Sequence, residues 1–328
     1  MSKLSPLHLQ EYYAFLLKEG RAEIQRRNIK LIKETNSQSK TADKKELKKL
    51  NDKLARAQAL LDNMIASGNG GLSSTSVAYQ HRIIHKALDQ AVKLQMVIRN
   101  VADAVEPPQP RKKEMQYMKI DTVNEFLSII KGSPDYPIIV AAIFTGMRQG
   151  ELLGLRWEDI DFNVGTISVR QQLQYIPEKG YFFKEPKRES QRSIPMPLPL
   201  SSLLRQVRKE QETIKAIYEE AAQEKEGKNE YKNNDLVFCN HDGSPLDGTG
   251  VTKRFQKLCE INEFPKMRFH DLRHTFATMA RSAGVPIEDL QDLLGHADIS
   301  TTKKIYTHVE LEPLQNAMQK VSERIKIS

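Results

Sequence analysis

Apolar residues return every three or four positions through most of the first hundred residues, the period of a helix with one buried face. From Pro6 to Lys18 the row is Leu9, Tyr13, Leu16 and Leu17. From Thr75 to Val105 it is Val77, Ile84, Leu88 and Val92, after the start signal Gly71-Leu72-Ser73-Ser74. Between these helices Leu47, Leu50, Leu54, Ala57, Leu61 and Met64 alternate by three and four, the a/d seam of a coiled coil. Paired with residues 21–35 through the polar turn Asn36-Ser37-Gln38-Ser39, this segment predicts a helical hairpin inserted over about 21–67. Such a hairpin either packs on its own domain or protrudes as an arm toward a partner.

The pattern breaks at Glu106-Pro107-Pro108-Gln109-Pro110, where three prolines in four residues stop a helix, and Arg111-Lys112-Lys113 then suits a solvated linker. Beyond it Asp121 is expected to cap a helix running to Lys131, and Pro134 to Met147 reads as a strongly apolar helix. Strand-type sequence follows in Gly165-Thr166-Ile167-Ser168-Val169, Tyr181-Phe182-Phe183 and Arg192-Ser193-Ile194-Pro195-Met196. Turns at Gly180 and Glu185-Pro186 separate these runs and predict a small three-stranded antiparallel sheet. Helices resume at about 199–226, 249–262, 270–283, 286–294 and 314–326. The last of them carries Leu314, Met318, Val321 and Ile325 along one face, to dock on its own domain or on a neighbouring subunit. The chain therefore reads as mainly α in two domains: helical over 1–106, a linker at 107–118, and mixed α+β over 119–328 with one small antiparallel sheet.

A length of 328 residues suffices for two cores. The charge is uneven. Residues 1–113 carry 21 Lys/Arg against 11 Asp/Glu, and residues 114–328 carry 29 against 31, so the overall +8 sits in the first module. That module suits a polyanionic partner, or else the lysines merely keep a helical domain soluble. Two cysteines, Cys239 and Cys259, form neither a disulfide framework nor a metal-ligand spacing, which fits a reducing cytoplasm. An apolar leader is missing at the N-terminus and no stretch approaches eighteen apolar residues, which argues against secretion and membrane insertion.

Candidate chemistry concentrates near the C-terminus: His270-Asp271-Leu272-Arg273-His274-Thr275, Leu294-Gly295-His296 and Ile305-Tyr306. His270 and Arg273, three apart at a helix start, leave on the same face, and a guanidinium presents a planar fork for two phosphate oxygens. A tyrosine hydroxyl can attack phosphorus and hold it covalently. Alone, His-x-x-Arg is more often an ordinary surface pair. His270 and His274 also have the spacing of half a zinc site, but the adjacent glutamate and a third ligand are missing. Gly295 suits a left-handed helix cap, which puts His296 on the turn that follows.

Together with Thr145-Gly146-Met147-Arg148-Gln149-Gly150-Glu151-Leu152 and the run Glu185-Pro186-Lys187 before Arg192-Ser193-Ile194-Pro195, these motifs resemble the tyrosine recombinases, the family of phage and transposon integrases and of chromosome-dimer resolvases. The resemblance covers about 115–328, and more loosely 1–106. It implies a helical, SAM-like core-binding bundle followed by a catalytic domain. It further implies that Tyr306 is the nucleophile of a 3′-phosphotyrosyl intermediate, and that Arg148 and Arg273 clamp the phosphate with His296 as a further donor. Lys187 would protonate the leaving 5′-oxygen, His270 would move protons at the nucleophile, and Glu151 would support the pocket from behind. Covalent storage of the bond energy requires neither ATP nor metal, so no cofactor is expected. The implied partners are double-stranded DNA at attachment-type sites and a homotetramer on synapsed DNA, with an excisionase or a host DNA-bending protein as possible helpers. The resemblance places this activity in a bacterial cytoplasm, at the nucleoid, in the service of a phage or conjugative element. A cellular resolvase of the same chemistry and a catalytically dead DNA-binding relative are the competing readings. Compared with the family the N-terminus reads as truncated, and Gly150 replaces a serine or alanine in an exchange expected to be harmless.

Overall fold

The first helix, α1 (Pro6–Gln38), runs for 33 residues, past Lys18 where the first apolar row ended and through Gly20 into the segment expected to begin the hairpin. It is followed by α2 (Lys44–Ala66) and α3 (Ser74–Lys93). The computed structural model describes residues 4–38, 44–109, 116–185, 191–224, 231–295 and 318–326. It divides into two compact units, Met1–Glu114 and Met115–Ser328.

In the first unit α1 serves two clusters. Leu9, Tyr13 and Leu16 pack with Val77 and Leu88 of α3 and with Ala102 and Val105. Farther along, Ala22 and Ile29 pack with Leu61, Leu54 and Ala57 of α2, the seam the heptad spacing identified. Gly20 is a packing gap, because a Cβ there would lie 3.0 Å from Leu72 Cγ. The loop after α2 is stitched onto α1 at this point: Leu72 N donates to Leu16 O at 2.8 Å, and Arg21 N and Ala22 N donate to Gly70 O. The polar turn expected at 36–39 is displaced, since α1 stays helical through Gln38 and the connection lies outside the described residues. Ser73 caps α3 by accepting from Ser76 N at 3.1 Å. That helix stops at Lys93 rather than running to Val105, and a 3₁₀ turn at Val101–Ala104 closes the unit.

The second unit is built around α5 (Tyr136–Thr145), every residue of which is buried except Pro137. A helix apolar on all sides requires cover on all sides. The cover comes from α4 (Ile120–Ile130), α7 (Leu198–Glu224), α8 (Gly248–Ile261) and α9 (Asp271–Ser282), with α6 (Gln149–Leu153) and α10 (Ile287–Leu294) closing one end. Asp121 lies in the first turn of α4, and Lys119 occupies the cap position. Edge-on aromatic contacts run from Phe126 to Phe255 at 5.9 Å and from Phe255 to Phe269 at 5.7 Å.

The β-structure differs from the single sheet expected. One antiparallel sheet has the order β1 (Ile160–Asp161), β2 (Thr166–Val169), β5 (Arg192–Pro195). A separate hairpin pairs β3 (Gln172–Ile176) with β4 (Gly180–Lys184), so the Tyr181-Phe182-Phe183 strand takes Gln174 and its neighbours as partners. The physical reason is the seat beneath β3. Gly150 and Gly154 of the α6 segment approach its backbone so closely that a Cβ would lie 3.0 Å from Leu173 O and 2.8 Å from Leu173 N respectively. Gly150 is therefore a contact position, and even a small side chain there requires β3 to shift. At the chain end Met318, Val321 and Ile325 are buried in this same core, and Asn124 of α4 exchanges hydrogen bonds with Arg324 O and Lys326 N. The described part of the last helix thus docks on its own unit. No helix among the described residues is long and apolar enough to cross a membrane.

Candidate active site

The site begins where α5 ends. Gly146 caps that helix in the left-handed region at φ 59°, and a Cβ there would meet Phe276 Cδ1 at 2.3 Å. Glycine is needed both for the turn and for the packing of α9 against it. Thr145 Oγ1 donates to Ala141 O at 2.6 Å, and the chain then turns so that Arg148 precedes α6.

Glu151, 2% exposed, is the hub. Its Oε2 accepts from Arg148 N at 2.9 Å and from Arg192 NH2 at 2.7 Å. Its Oε1 accepts from Arg148 NH1 at 2.9 Å and from Arg192 NH1 at 3.2 Å. Burial alone would raise this carboxyl, but the donors from Arg192 and then Arg148 outweigh it and hold the group below its ordinary value. An ionised carboxylate thus sits behind Arg148 and fixes both its backbone and its guanidinium.

The C-terminal end of α10 supplies the rest. Three successive carbonyls accept from three different arginines: Leu293 O from Arg192 Nε at 2.6 Å, Leu294 O from Arg273 NH2, and Gly295 O from Arg148 NH2 at 2.9 Å. These carbonyls lack partners within the helix and mark its negative end, so cations belong there. Gly295 caps α10 at φ 61°. Arg273, only 4% exposed, also donates from NH1 to Gly146 O at 2.8 Å, so it bridges the ends of α5 and α10. Burial, reinforced by the neighbouring Arg148 and Arg192, lowers its guanidinium to about 9, still well above neutrality. Arg148 is the opposite case, with more than a third of its side chain exposed.

His270 is exposed at the cap position before α9, and its imidazole is lowered by partial burial first, then by His274 and Arg273. Its ring stands edge-on to that of His274 with centroids 5.5 Å apart. Asp271 is buried, accepts from Arg268 NH2 at 2.6 Å, and acts on both imidazoles electrostatically. The structure therefore brings Arg148, Glu151 and Arg273 together, with His270 beside Arg273. Lys187, His296 and Tyr306 lie outside the described residues.

Sequence reasoning left Arg192 as a bystander on the hairpin. The available signal was strand alternation: Arg192 shares a face of β5 with the buried Ile194, and a charged residue on a buried face requires a partner. Arg148 and Arg192 share one carboxylate while Arg273 is held by the carbonyls of Gly146 and Leu294, which leaves surplus positive charge suited to an anion rather than a metal ion. Among the described residues the His/Cys/Asp/Glu group close enough to share an ion is His85, Asp89 and Asp103, in the other unit. There both nitrogens of His85 are already held by carboxylates, at 3.1 Å to Asp89 and 2.7 Å to Asp103.

Arginines gathered around a buried acid and two helix ends give this helical unit a site with surplus positive charge. The model of the phage integrase family matches residues 116–312, and the chain belongs to that family of tyrosine recombinases. It is 32% identical over 228 residues to the "Tyrosine recombinase XerC-like" protein of Caldanaerobacter subterraneus subsp. tengcongensis, covering 66% of this chain and 56% of that protein. It is 28% identical over 196 residues to the transposase of transposon Tn916 from Enterococcus faecalis, covering 58% of this chain and 46% of that one. The chain thus spans about half the length of such curated relatives. Among solved structures, the Tn1549 transposon integrase in complex with transposon right-end DNA superposes with a TM-score of 0.60 at 24% identity, over 79% of this chain and 82% of that one. This likeness concerns the fold, mainly helical with a small antiparallel sheet.

Proposed function

We propose that this chain is a site-specific DNA recombinase that cuts and rejoins strands through a 3′-phosphotyrosyl intermediate, integrating and excising a phage or conjugative element. The observation that carries the reading is the gathering of Arg148, Arg192 and Arg273 at the end of α10, the first two on the buried Glu151 carboxylate. A phosphodiester gains negative charge on its non-bridging oxygens as a nucleophile arrives, and fixed cations oppose that build-up without reorganising. Arg148, with its exposed edge, is the first contact in this scheme, and Arg273 supplies charge from behind. Tyr306 is the proposed nucleophile, His296 a further donor, His270 a proton carrier and Lys187 the general acid for the 5′-oxygen.

The working division is a DNA-binding helical domain over 1–106, a linker over 107–118 and a catalytic domain over 119–328. The substrate would be duplex DNA in a bacterial cytoplasm, held by a homotetramer across two sites, with an excisionase or DNA-bending protein setting direction. The XerC-like relative favours a second reading, a cellular resolvase of the same chemistry. The Tn916 relative favours the mobile element.

The test is a nicked suicide DNA substrate in EDTA. Wild type should become covalently trapped, and Tyr306→Phe should bind without trapping. Trapping that persists in Tyr306→Phe, or that needs a divalent metal, overturns the proposal. Circularised element DNA in host cells, absent when Tyr306→Phe replaces wild type, separates the mobile-element reading from the resolvase one.

A further inference from the structure

We infer that Arg192 is a positioning residue for strand cleavage: it grips the Glu151 carboxylate and the Leu293 carbonyl at once, and so fixes Arg148 relative to the end of α10. The inference rests on the reading of the site given above. Arg192 opens β5, paired with Val169 of β2, and its side chain is 7% exposed. The two terminal nitrogens lie against the two oxygens of Glu151, a fork on a carboxylate. The remaining Nε reaches Leu293 O at 2.6 Å, two residues before the Gly295 carbonyl that Arg148 holds. One planar group therefore ties a strand, the α6 acid and the α10 terminus into a single rigid piece.

Gly295 carries the imprint of this arrangement. A Cβ at that position would lie 2.9 Å from Arg192 NH1 and 3.3 Å from Cδ and Cζ, so the guanidinium packs flat over the glycine cap. The left-handed backbone and the arginine thus require the same residue at 295 for two separate reasons. Without Arg192, Glu151 keeps only its donors from Arg148 and becomes a buried acid with half its acceptor sites empty. It would then pull on Arg148 alone, while the end of α10 loses the donor at Leu293. Lysine at 192 could supply charge to one oxygen, but not the fork and the third donor together.

The experiment compares wild type, Arg192→Gln, Arg192→Lys, Glu151→Gln and the Arg192→Gln/Glu151→Gln double variant, by single-turnover trapping on the suicide substrate and by equilibrium DNA binding. Misaligned catalytic groups cost about a hundredfold, so Arg192→Gln should trap about that much more slowly with an unchanged dissociation constant for DNA. Arg192→Lys should recover part of the rate, and the double variant should be no slower than the slower single one, because both changes cut the same link. If Arg192→Gln fails to fold, the slowed trapping of Arg192→Lys at unchanged DNA affinity carries the decision. Wild-type trapping rates in either variant overturn the role, as do losses of trapping and DNA binding in equal proportion, or single effects that multiply in the double variant. A wild type that never traps removes the reading of the site itself, a different outcome from a wild type that traps while Arg192→Gln keeps pace with it.

Discussion

Replacing Glu151 with glutamine removes one charge from a site where four donors depend on it. The carboxylate accepts from Arg148 N, Arg148 NH1, Arg192 NH1 and Arg192 NH2, at distances between 2.7 and 3.2 Å. An amide offers one acceptor oxygen and turns two hydrogens toward guanidiniums, so about half of those donors lose their partner. Breaking a buried ion pair from one side costs about 3–5 kcal/mol, and Glu151 is 2% exposed, so screening by solvent gives little relief. Against a total stability of about 5–15 kcal/mol this is a large fraction. The single tryptophan, Trp157, lies in the second unit with its ring nitrogen donating to Gln211 Oε1 at 2.9 Å, so its fluorescence reports urea unfolding of the right part of the chain. The pH dependence has a fixed sign. The folded carboxyl titrates below its ordinary value, so its contribution is complete above the unfolded value of about 4.3 and is lost as pH falls through the folded one. The gap between wild type and Glu151→Gln should therefore be full at neutral pH and should close in acid below about pH 4. A variant as stable as wild type at pH 7, or a gap that widens on acidification, would refute the assignment of Glu151 as the ionised hub.

Three further outcomes follow from other contacts. Inorganic phosphate at about ten times its dissociation constant should stabilise the second unit by about 1.4 kcal/mol, or about 3–6 °C in Tm. Phosphate also stabilises proteins generally, so an equal shift in Arg148→Ala would remove the specific site. Gly154→Ala should cost about 1–3 kcal/mol, because its Cβ would meet Leu173 N at 2.8 Å, and Gly150→Ala, meeting Leu173 O at 3.0 Å, should cost less. Equal urea midpoints for Gly154→Ala and wild type would mean that β3 is not pressed onto α6. Thr275→Val keeps the shape but takes away the acceptor that Met118 N uses at 3.1 Å, a loss of about 1–3 kcal/mol in the same assay.

How much of this was legible depended on whether a neighbour along the chain or a distant one decided the outcome. The Ser73 cap, the α2 seam and the apolar α5 are local patterns, and each lies within a residue or two of its expected place. The first apolar row was read only as far as Lys18, yet α1 continues through Gly20, onto which Leu72 packs. The strand Gln172–Ile176 was missed because of its five residues only Leu173 is buried, so alternation gave a weak signal. The His270/Arg273 spacing was read as one helical face; His270 holds helical angles at the cap before α9 and is exposed, while Arg273, three residues on, is buried. The order of boxes placed Arg148 and Glu151 near Arg273, but nothing along the chain announced that Leu293, Leu294 and Gly295 would each receive a different arginine.

That last arrangement has a physical logic. Three buried or half-buried guanidiniums repel one another, and Arg273 is lowered by burial first and by Arg148 and Arg192 after it. Carboxylates could hold them in place, but each added acid would cancel a charge that the proposed phosphate would need. Carbonyl oxygens at a helix C-terminus solve the geometric problem while leaving the net charge intact: they orient a guanidinium, they are short of donors in any case, and they carry only partial charge. One carboxylate, Glu151, then suffices for two arginines because its four acceptor positions are all in use. The same economy joins the anion site to the end of α10 mechanically. Under the proposed function, a phosphate that drew Arg148 toward itself would load the Gly295 carbonyl. Occupancy of such a phosphate site would then act on that helix end by two routes, the 2.9 Å bond from Arg148 to Gly295 O and the link from Glu151 through Arg192 to Leu293 O.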